Sequence, residues 1–292
     1  MNAILNQIDG FTHNRRKPAK VPTLFGMNFQ AVSVGQKLIE SGVGSGGYLD
    51  STGTPSPILR TQIRFVDDAI GKFVTELDKQ GLSGSTLLII TAKHGQSPVD
   101  SARYTRITPN ASVTDGTVTT SPSNIVDACL PDSESNAGNQ IGPTEDDVSL
   151  LWLKKSCNTA EQVALLEQAS PAAANIAGIG QIFSGSAITQ MFNAPGWPPQ
   201  GDSRSPDIVV TPNIGVTYSK STHKQAEHGG FAHDDINVML LLSNPSLDPK
   251  TITSSVQTMQ VAPTILKALG LSPSSLQGVQ REGTQALPGL PF

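Results

Sequence analysis

The chain has 292 residues, of which 37% are hydrophobic and 15% charged, and its net charge is −4. This length suffices to bury a substantial core, and we predict a single domain across residues 1–292. The charge gives no electrostatic footprint for nucleic acid, and no apolar run approaches the roughly 20 residues of a membrane span. The sequence leaves the oligomeric state open.

The N-terminal residues predict a short helix. Ile4, Leu5 and Ile8 share one face of an amphipathic helix over residues 1–8. This stretch has neither the basic start nor the long apolar core of a signal peptide. Because the chain begins inside a helical pattern, we expect the fold to be incomplete at its N-terminus.

Loops and a long helix follow. Residues 23–35 predict a strand that enters a helix over 36–40, and the Gly-, Ser-, Thr- and Pro-rich residues 42–57 predict a loop. Residues 57–80 carry a strong helical stripe, which Gly81 is placed to end. Adjacent carboxylates on this helix, Asp67-Asp68, point about 100° apart, so a solvated face or a cap partner explains them better than a metal site.

We predict a buried parallel strand over residues 85–92, which organises the middle of the chain because its apolar run Leu87-Leu88-Ile89-Ile90 leads directly into His94. Residues 99–147 are polar, have few core candidates and predict a loop-rich insertion over the sheet edge. Cys129 and Cys157 belong to no metal-spaced set, which leaves both a disulfide and two free thiols open.

Strands and helices alternate in the remaining chain. We predict strands over 148–153, 206–212 and 236–242, helices from 159 onward and over 259–269, and a small helix or turn region over 176–191. This alternation predicts an α/β fold with a mainly parallel central sheet and helices on both faces.

Two His-Gly turns stand beside predicted strands. His94-Gly95 follows the strand over residues 85–92, and His228-Gly229 precedes the strand over residues 236–242. In open α/β sheets, ligands bind at the carboxyl ends of strands, so a histidine there is a candidate metal ligand or catalytic group. The sequence contains no GxSxG, HExxH or P-loop motif, which leaves serine hydrolase, zincin and P-loop nucleotide-fold interpretations without support.

Four segments match, in order, the motifs of one enzyme family. Val66-Asp67-Asp68-Ala69-Ile70-Gly71 is similar to a V-D-x-x-I-G helix, and Thr91-Ala92-Lys93-His94-Gly95 to a T-A-D-H-G turn. Ala226-Glu227-His228-Gly229-Gly230 resembles a late H-G turn, and Gln260-Val261-Ala262-Pro263-Thr264-Ile265-Leu266 a closing D-V-A-P-T-I-L helix. Over about residues 20–290 the chain thus resembles the type I phosphodiesterase/nucleotide pyrophosphatase family of the alkaline phosphatase superfamily.

The resemblance implies a phosphoester hydrolase with two metal ions, commonly zinc, and a Thr or Ser nucleophile. Position by position, it implies that Asp50, His94 and His228 are metal ligands. Two expected ligands are changed, since the His of the family's D-x-x-G-H loop is Thr54 and the Asp of D-H-G is Lys93. An ammonium cannot ligate a cation. We therefore expect one divalent ion or none rather than two, with Lys93 as a catalytic cation that binds phosphate in place of a metal.

The family's nucleophile precedes the matched motifs, so we expect this chain to lack that segment and its activity to be impaired. We predict a metal-dependent phosphoester or phosphodiester hydrolase acting on a small, nucleotide-like phosphorylated substrate. The alternative is a non-catalytic relative that binds a phosphorylated ligand or a protein partner. The resemblance suggests an exported protein, whereas residues 1–8 carry no export signal, which leaves the compartment open.

Overall fold

The computed structural model describes residues 1–37, 39–40, 44–50, 52–99, 103–108, 120–131, 143–170, 177–192, 205–219, 221 and 224–292. The chain divides into two compact units. The first comprises Met1–Lys93, Val238–Pro273 and Gln285–Phe292, and the second comprises His94–Asn237 and Ser274–Thr284. Within the described ranges, no helix is both long enough and apolar enough to cross a membrane.

Mostly short helices and strands alternate along the chain. The α-helices are α1 (Asn2–Ile8), α2 (Ala31–Lys37), α3 (Pro57–Lys79), α4 (Pro122–Ile125), α5 (Thr159–Gln168), α6 (Ser186–Met191), α7 (His233–Ile236), α8 (Val261–Ala268) and α9 (Gln277–Glu282). The strands are β1 (Ile39–Glu40), β2 (Gly44–Ser45), β3 (Leu88–Thr91), β4 (Ser97–Pro98), β5 (Thr105–Ile107), β6 (Thr144–Glu145), β7 (Ser149–Leu151), β8 (Ile179–Ser184), β9 (Ile208–Pro212), β10 (Val216–Tyr218), β11 (Ala226–Glu227) and β12 (Leu240–Ser243).

Helix α3 of the first unit forms as its sequence pattern predicts. The Ser56 hydroxyl caps it by accepting a hydrogen bond from the Leu59 N–H at 3.2 Å, and Pro57 occupies the first turn, where no N–H is needed. Gly81 follows the helix with φ +66°, the left-handed conformation that commonly ends helices. The buried side chains of this helix are Leu59, Ala69, Phe73 and Leu77.

Helices α1 and α2 contact α3, and the same unit contains short antiparallel strand pairs. Ile8 of α1 is buried against Phe73 and Leu77. Strands β3 and β12 pair antiparallel, so the parallel direction predicted for the strand before His94 is wrong. Asp67 and Asp68 are exposed, as expected for a solvated helix face.

The second unit is built on a four-stranded sheet in the order β6-β7-β9-β8, in which every pairing is antiparallel. Its core is aliphatic, because Leu151, Ile208 and Val210 of the sheet pack against Leu166 of α5, and all four are fully buried. Two shorter pairs complete the described strands of this unit, β5 with β10 in parallel and β4 with β11 antiparallel.

The mixture of helices and strands confirms an α/β fold, but the described strands do not show the mainly parallel sheet that we predicted, since only β5 and β10 pair in parallel. The predicted helix or turn over 176–191 is wrong in part, because strand β8 precedes helix α6 in this segment. Ile179 and Ile182 of β8 pack in the core. The predicted strand over 23–35 is wrong, because α2 begins at Ala31 and residues 21–30 form no strand. The single domain and the insertion over 99–147, which lies partly outside the described residues, stay predictions.

A disulfide joins Cys129 and Cys157, whose Cα atoms lie 5.8 Å apart across a sequence separation of 28, and this decides between the two alternatives left open. Because such a cross-link restricts the unfolded chain, we expect it to stabilise the protein by about 3–4 kcal/mol. Thermal unfolding with and without reductant measures the effect, and reduction should lower Tm by roughly 5–15 °C. The double variant Cys129→Ser/Cys157→Ser should show the lower Tm in both conditions. An unchanged Tm in that variant would contradict the prediction.

Candidate functional site

The two His-Gly turns meet in the second unit because the strands beside them pair. Strands β4 and β11 are antiparallel, with Ser97 opposite Glu227. The chain that enters β4 therefore lies beside the chain that leaves β11, so His94 and His228 approach each other. Their ring centroids are 4.0 Å apart and their planes are inclined by 45°. Two motifs distant in sequence thus form one site.

The backbone of Gly95 packs the His94-Gly95 turn against α7. The Gly95 N–H donates to the carbonyl oxygen of Asp235 at 2.7 Å. A Cβ at position 95 would lie 1.9 Å from the carbonyl oxygen of Asp234, so this approach requires glycine. His94 Nδ1 lies 2.7 Å from the Gly95 carbonyl oxygen. Because a carbonyl only accepts, Nδ1 carries the proton, and in the neutral ring Nε2 keeps its lone pair.

Charged side chains also lie next to His228. Glu227 is fully buried, and its Oε1 accepts a hydrogen bond from the His228 backbone N–H at 3.1 Å. Lys224 is ion-paired with Glu227 Oε2, and its Nζ lies 2.9 Å from Asp146 Oδ1. The second oxygen of Asp146 lies 3.9 Å from His228 Nδ1, which is ion-pair range rather than a hydrogen bond. Lys224 therefore connects both carboxylates that flank His228.

A second pair of carboxyl groups lies next to this cluster. Burial and the charge of Asp235 raise the pKa of Asp147, and burial also raises the pKa of Asp235, partly offset by the Ser97 hydroxyl. Ser97 donates to Asp235 Oδ2 at 3.0 Å, whereas Asp235 Oδ1 is buried with no hydrogen-bond partner among the described residues. Gly230 makes room here, since a Cβ at that position would lie 2.8 Å from Asp235 Oδ2. This arrangement favours one shared negative charge, because the buried carboxylate of Asp235 and the half-buried carboxylate of Asp147 repel each other.

One group among the described residues has the spacing of a metal site. Asp146, Glu227 and His228 each offer a ligand atom, and these atoms lie within 4.8 Å of one another. Carboxylate oxygens and an imidazole nitrogen are ligands that zinc accepts. However, Lys224 contacts both carboxylates, so an ammonium already faces the oxygens that a metal would need. The group fits a divalent ion only if Lys224 moves away.

The four predicted site residues fall in different units. His94 and His228 lie together in the second unit, whereas Asp50 and Lys93 belong to the first. Lys93 is exposed. Asp50 Oδ1 accepts hydrogen bonds from Thr52 N at 2.9 Å, Thr52 Oγ1 at 2.7 Å and Thr54 N at 3.1 Å, and these bonds hold the pKa of Asp50 well below its usual range. The roles of Asp50 and Lys93 stay predictions.

Sequence reasoning missed several residues of the site. Asp146 and Asp147 stand in the polar stretch before β7, where their carboxylates resemble those of any solvated turn. Asp235 follows His233 and Asp234, and only that acidic cluster next to a histidine could have drawn attention to it. Lys224 stands in the loop before β11 and belongs to no motif that could have singled it out.

The sequence profile described as type I phosphodiesterase / nucleotide pyrophosphatase matches residues 33–234, which is more than half of the chain and includes both His-Gly turns. The chain belongs to the type I phosphodiesterase/nucleotide pyrophosphatase family. The resemblance drawn from the motifs is confirmed, and with it the placement in the alkaline phosphatase superfamily.

Solved structures of phosphodiesterase/nucleotide pyrophosphatase proteins are similar to this chain at low identity. Human ectonucleotide pyrophosphatase/phosphodiesterase 5 shares 15% identity, with a TM-score of 0.48 over 92% of this chain and 70% of the other. The murine protein of the same name shares 15% identity, with a TM-score of 0.49 over 93% and 70%. An inactive variant of the murine protein in complex with AMP also shares 15% identity. Its TM-score is 0.47 over 93% of this chain and 70% of the other. No curated protein sequence matches the chain significantly.

Proposed function

We propose that this chain hydrolyses phosphoester or phosphodiester bonds in small, nucleotide-like phosphorylated molecules with the help of a divalent metal ion, zinc in the first instance. The observation that carries the proposal is the close approach of the His94 and His228 rings, 4.0 Å apart, in the two turns that match the family's motifs. Family membership supports the hydrolase class.

In this proposal the two imidazoles hold the ion. His94 suits that role, because its Nδ1 proton is committed to the Gly95 carbonyl oxygen, which leaves the Nε2 lone pair for a ligand bond. Such a hydrogen bond to the other ring nitrogen commonly orients a metal-binding histidine. When bound, the ion supplies Lewis acidity that stabilises negative charge on the phosphoryl oxygens.

Lys93 and Asp50 keep the roles that the sequence suggested for them. The exposed ammonium of Lys93 is a point charge suited to a phosphate group. Asp50 stays ionised because Thr52 and Thr54 donate hydrogen bonds to it, and a carboxylate ligand has to be ionised to bind a metal.

Turnover of bis(p-nitrophenyl) phosphate tests the proposal. We expect the purified chain to release p-nitrophenol, to lose this activity on chelation and to regain it when Zn²⁺ is added back. His228→Ala should lower kcat/KM by roughly 100-fold or more, as expected for removing a group that stabilises transition-state charge. The control is His13→Ala, which changes an exposed histidine of the first unit and should leave the rate unchanged.

Two results would overturn this proposal. One is turnover that survives exhaustive chelation together with His228→Ala. The other is a folded wild-type protein that shows no turnover with any supplied divalent ion but binds AMP, which would instead support the non-catalytic alternative.

A further inference from the structure

We propose that Lys224 is the resident cation of the cluster formed by Asp146, Glu227 and His228, so that it excludes a divalent metal ion from the two carboxylates and positions His228. The proposal rests on the proposed function for its relevance to catalysis, because His228 is a metal ligand in that function. Its structural content is independent of turnover, because it concerns which positive charge the carboxylates bind.

The first argument is burial. Glu227 is 0% exposed and the Lys224 side chain 13% exposed, so both charges are largely removed from water. A buried carboxylate is tolerated only when it is paired or accepts hydrogen bonds, and removing one partner of such a pair is strongly destabilising. Glu227 meets this requirement through Lys224 at Oε2 and the His228 N–H at Oε1. The charge of Lys224 therefore allows Glu227 to be buried in the folded site.

The second argument is competition for the same oxygens. The ligand atoms of Asp146, Glu227 and His228 lie close enough together for one ion. Lys224 Nζ is paired with both carboxylates, at 2.9 Å from Asp146 Oδ1. A divalent ion placed among them would meet a like charge at contact distance and would have to displace the ammonium. The carboxylates have one cation already, which weakens the attraction for a second.

The third argument is position. Glu227 Oε1 accepts a hydrogen bond from the backbone N–H of His228, whereas Asp146 Oδ2 lies 3.9 Å from His228 Nδ1, too far for a hydrogen bond. Because Lys224 is ion-paired with Glu227, it fixes the carboxylate that holds the backbone of this histidine. We therefore classify Lys224 as a positioning residue and place any metal ion on the His94 side of His228.

Titration with Co²⁺, followed by its visible absorption and by calorimetry, tests the proposal without relying on activity. Lys224→Met should bind one additional Co²⁺ per chain, or bind Co²⁺ at least roughly tenfold more tightly than the wild type. Asp146→Asn added to Lys224→Met should abolish that gain. Lys224→Arg, which keeps the charge, should titrate like the wild type.

Asp146→Asn alone provides the second test, because its partly exposed side chain can be changed without burying a new charge. It should leave the wild-type Co²⁺ titration unchanged. A tenfold weaker titration of this variant would overturn the proposal, since the ion would then bind Asp146 while Lys224 is present. A folded Lys224→Met protein that titrates like the wild type would overturn it as well. If Lys224→Met does not fold, the Asp146→Asn result decides.

The outcomes also separate this proposal from the proposed function. A wild-type chain without phosphodiesterase turnover contradicts the function, whereas the Co²⁺ titrations still report whether Lys224 excludes an ion.

Discussion

Replacing His94 by alanine is expected to lower kcat/KM for bis(p-nitrophenyl) phosphate by roughly 100-fold or more, with little loss of stability. The His94 ring is half-buried, packs on His228 and has a fixed Nδ1 proton. Its removal takes away the nitrogen that we propose as a metal ligand, but it leaves the backbone hydrogen bond between Gly95 and Asp235 in place. Initial rates at saturating Zn²⁺, with circular dichroism to verify folding, measure the effect.

The double variant His94→Ala/His228→Ala tests whether the two rings bind the same ion. If both rings bind one ion, the first substitution already removes the ion's contribution. The second should then cost little more, because residues that act as a unit show strongly non-additive losses. His233→Ala is the control, since that side chain is 80% exposed and should not affect the rate. Losses that multiply across the two histidines would show that the rings act separately and would contradict the shared-ion interpretation.

Features that depend on local sequence were predictable. Helix α3 starts at Ser56-Pro57 and is followed by Gly81, and each of these signals acts within one turn of the helix. The strand before His94 also formed where its apolar run predicted it. The two His-Gly turns could be matched to a family because each motif is short and contiguous.

Features set by long-range pairing were not predictable. The buried run Ile208–Pro212 fits either a parallel or an antiparallel sheet, and its direction follows from pairing with β7 and β8 rather than from its own residues. Lys224 and Asp146 are 78 positions apart, in segments without periodicity. Their contact depends on several chain reversals, so no local sequence pattern predicts that a lysine pairs with the carboxylates of the candidate metal cluster.

Substituting alanine for Gly95 is expected to destabilise the protein by about 3 kcal/mol or more and to abolish phosphodiesterase activity. The added Cβ would lie 1.9 Å from the carbonyl oxygen and 3.0 Å from the carbonyl carbon of Asp234. Both are backbone atoms, so no side-chain rotation relieves the clash. The turn would have to move away from α7, which would break the hydrogen bond from Gly95 to Asp235 and carry His94 away from His228.

Urea unfolding of Gly95→Ala and Gly278→Ala measures this effect against a matched substitution in the same unit. Gly278 lies in α9, where an added Cβ meets no atom within 4 Å, so its replacement should be neutral or stabilising by about 0.5–1 kcal/mol. The two variants should therefore differ in unfolding free energy by several kcal/mol. If their midpoints coincide, the His94 turn is not held against α7, and the fixed geometry from which the imidazole site was inferred would be wrong.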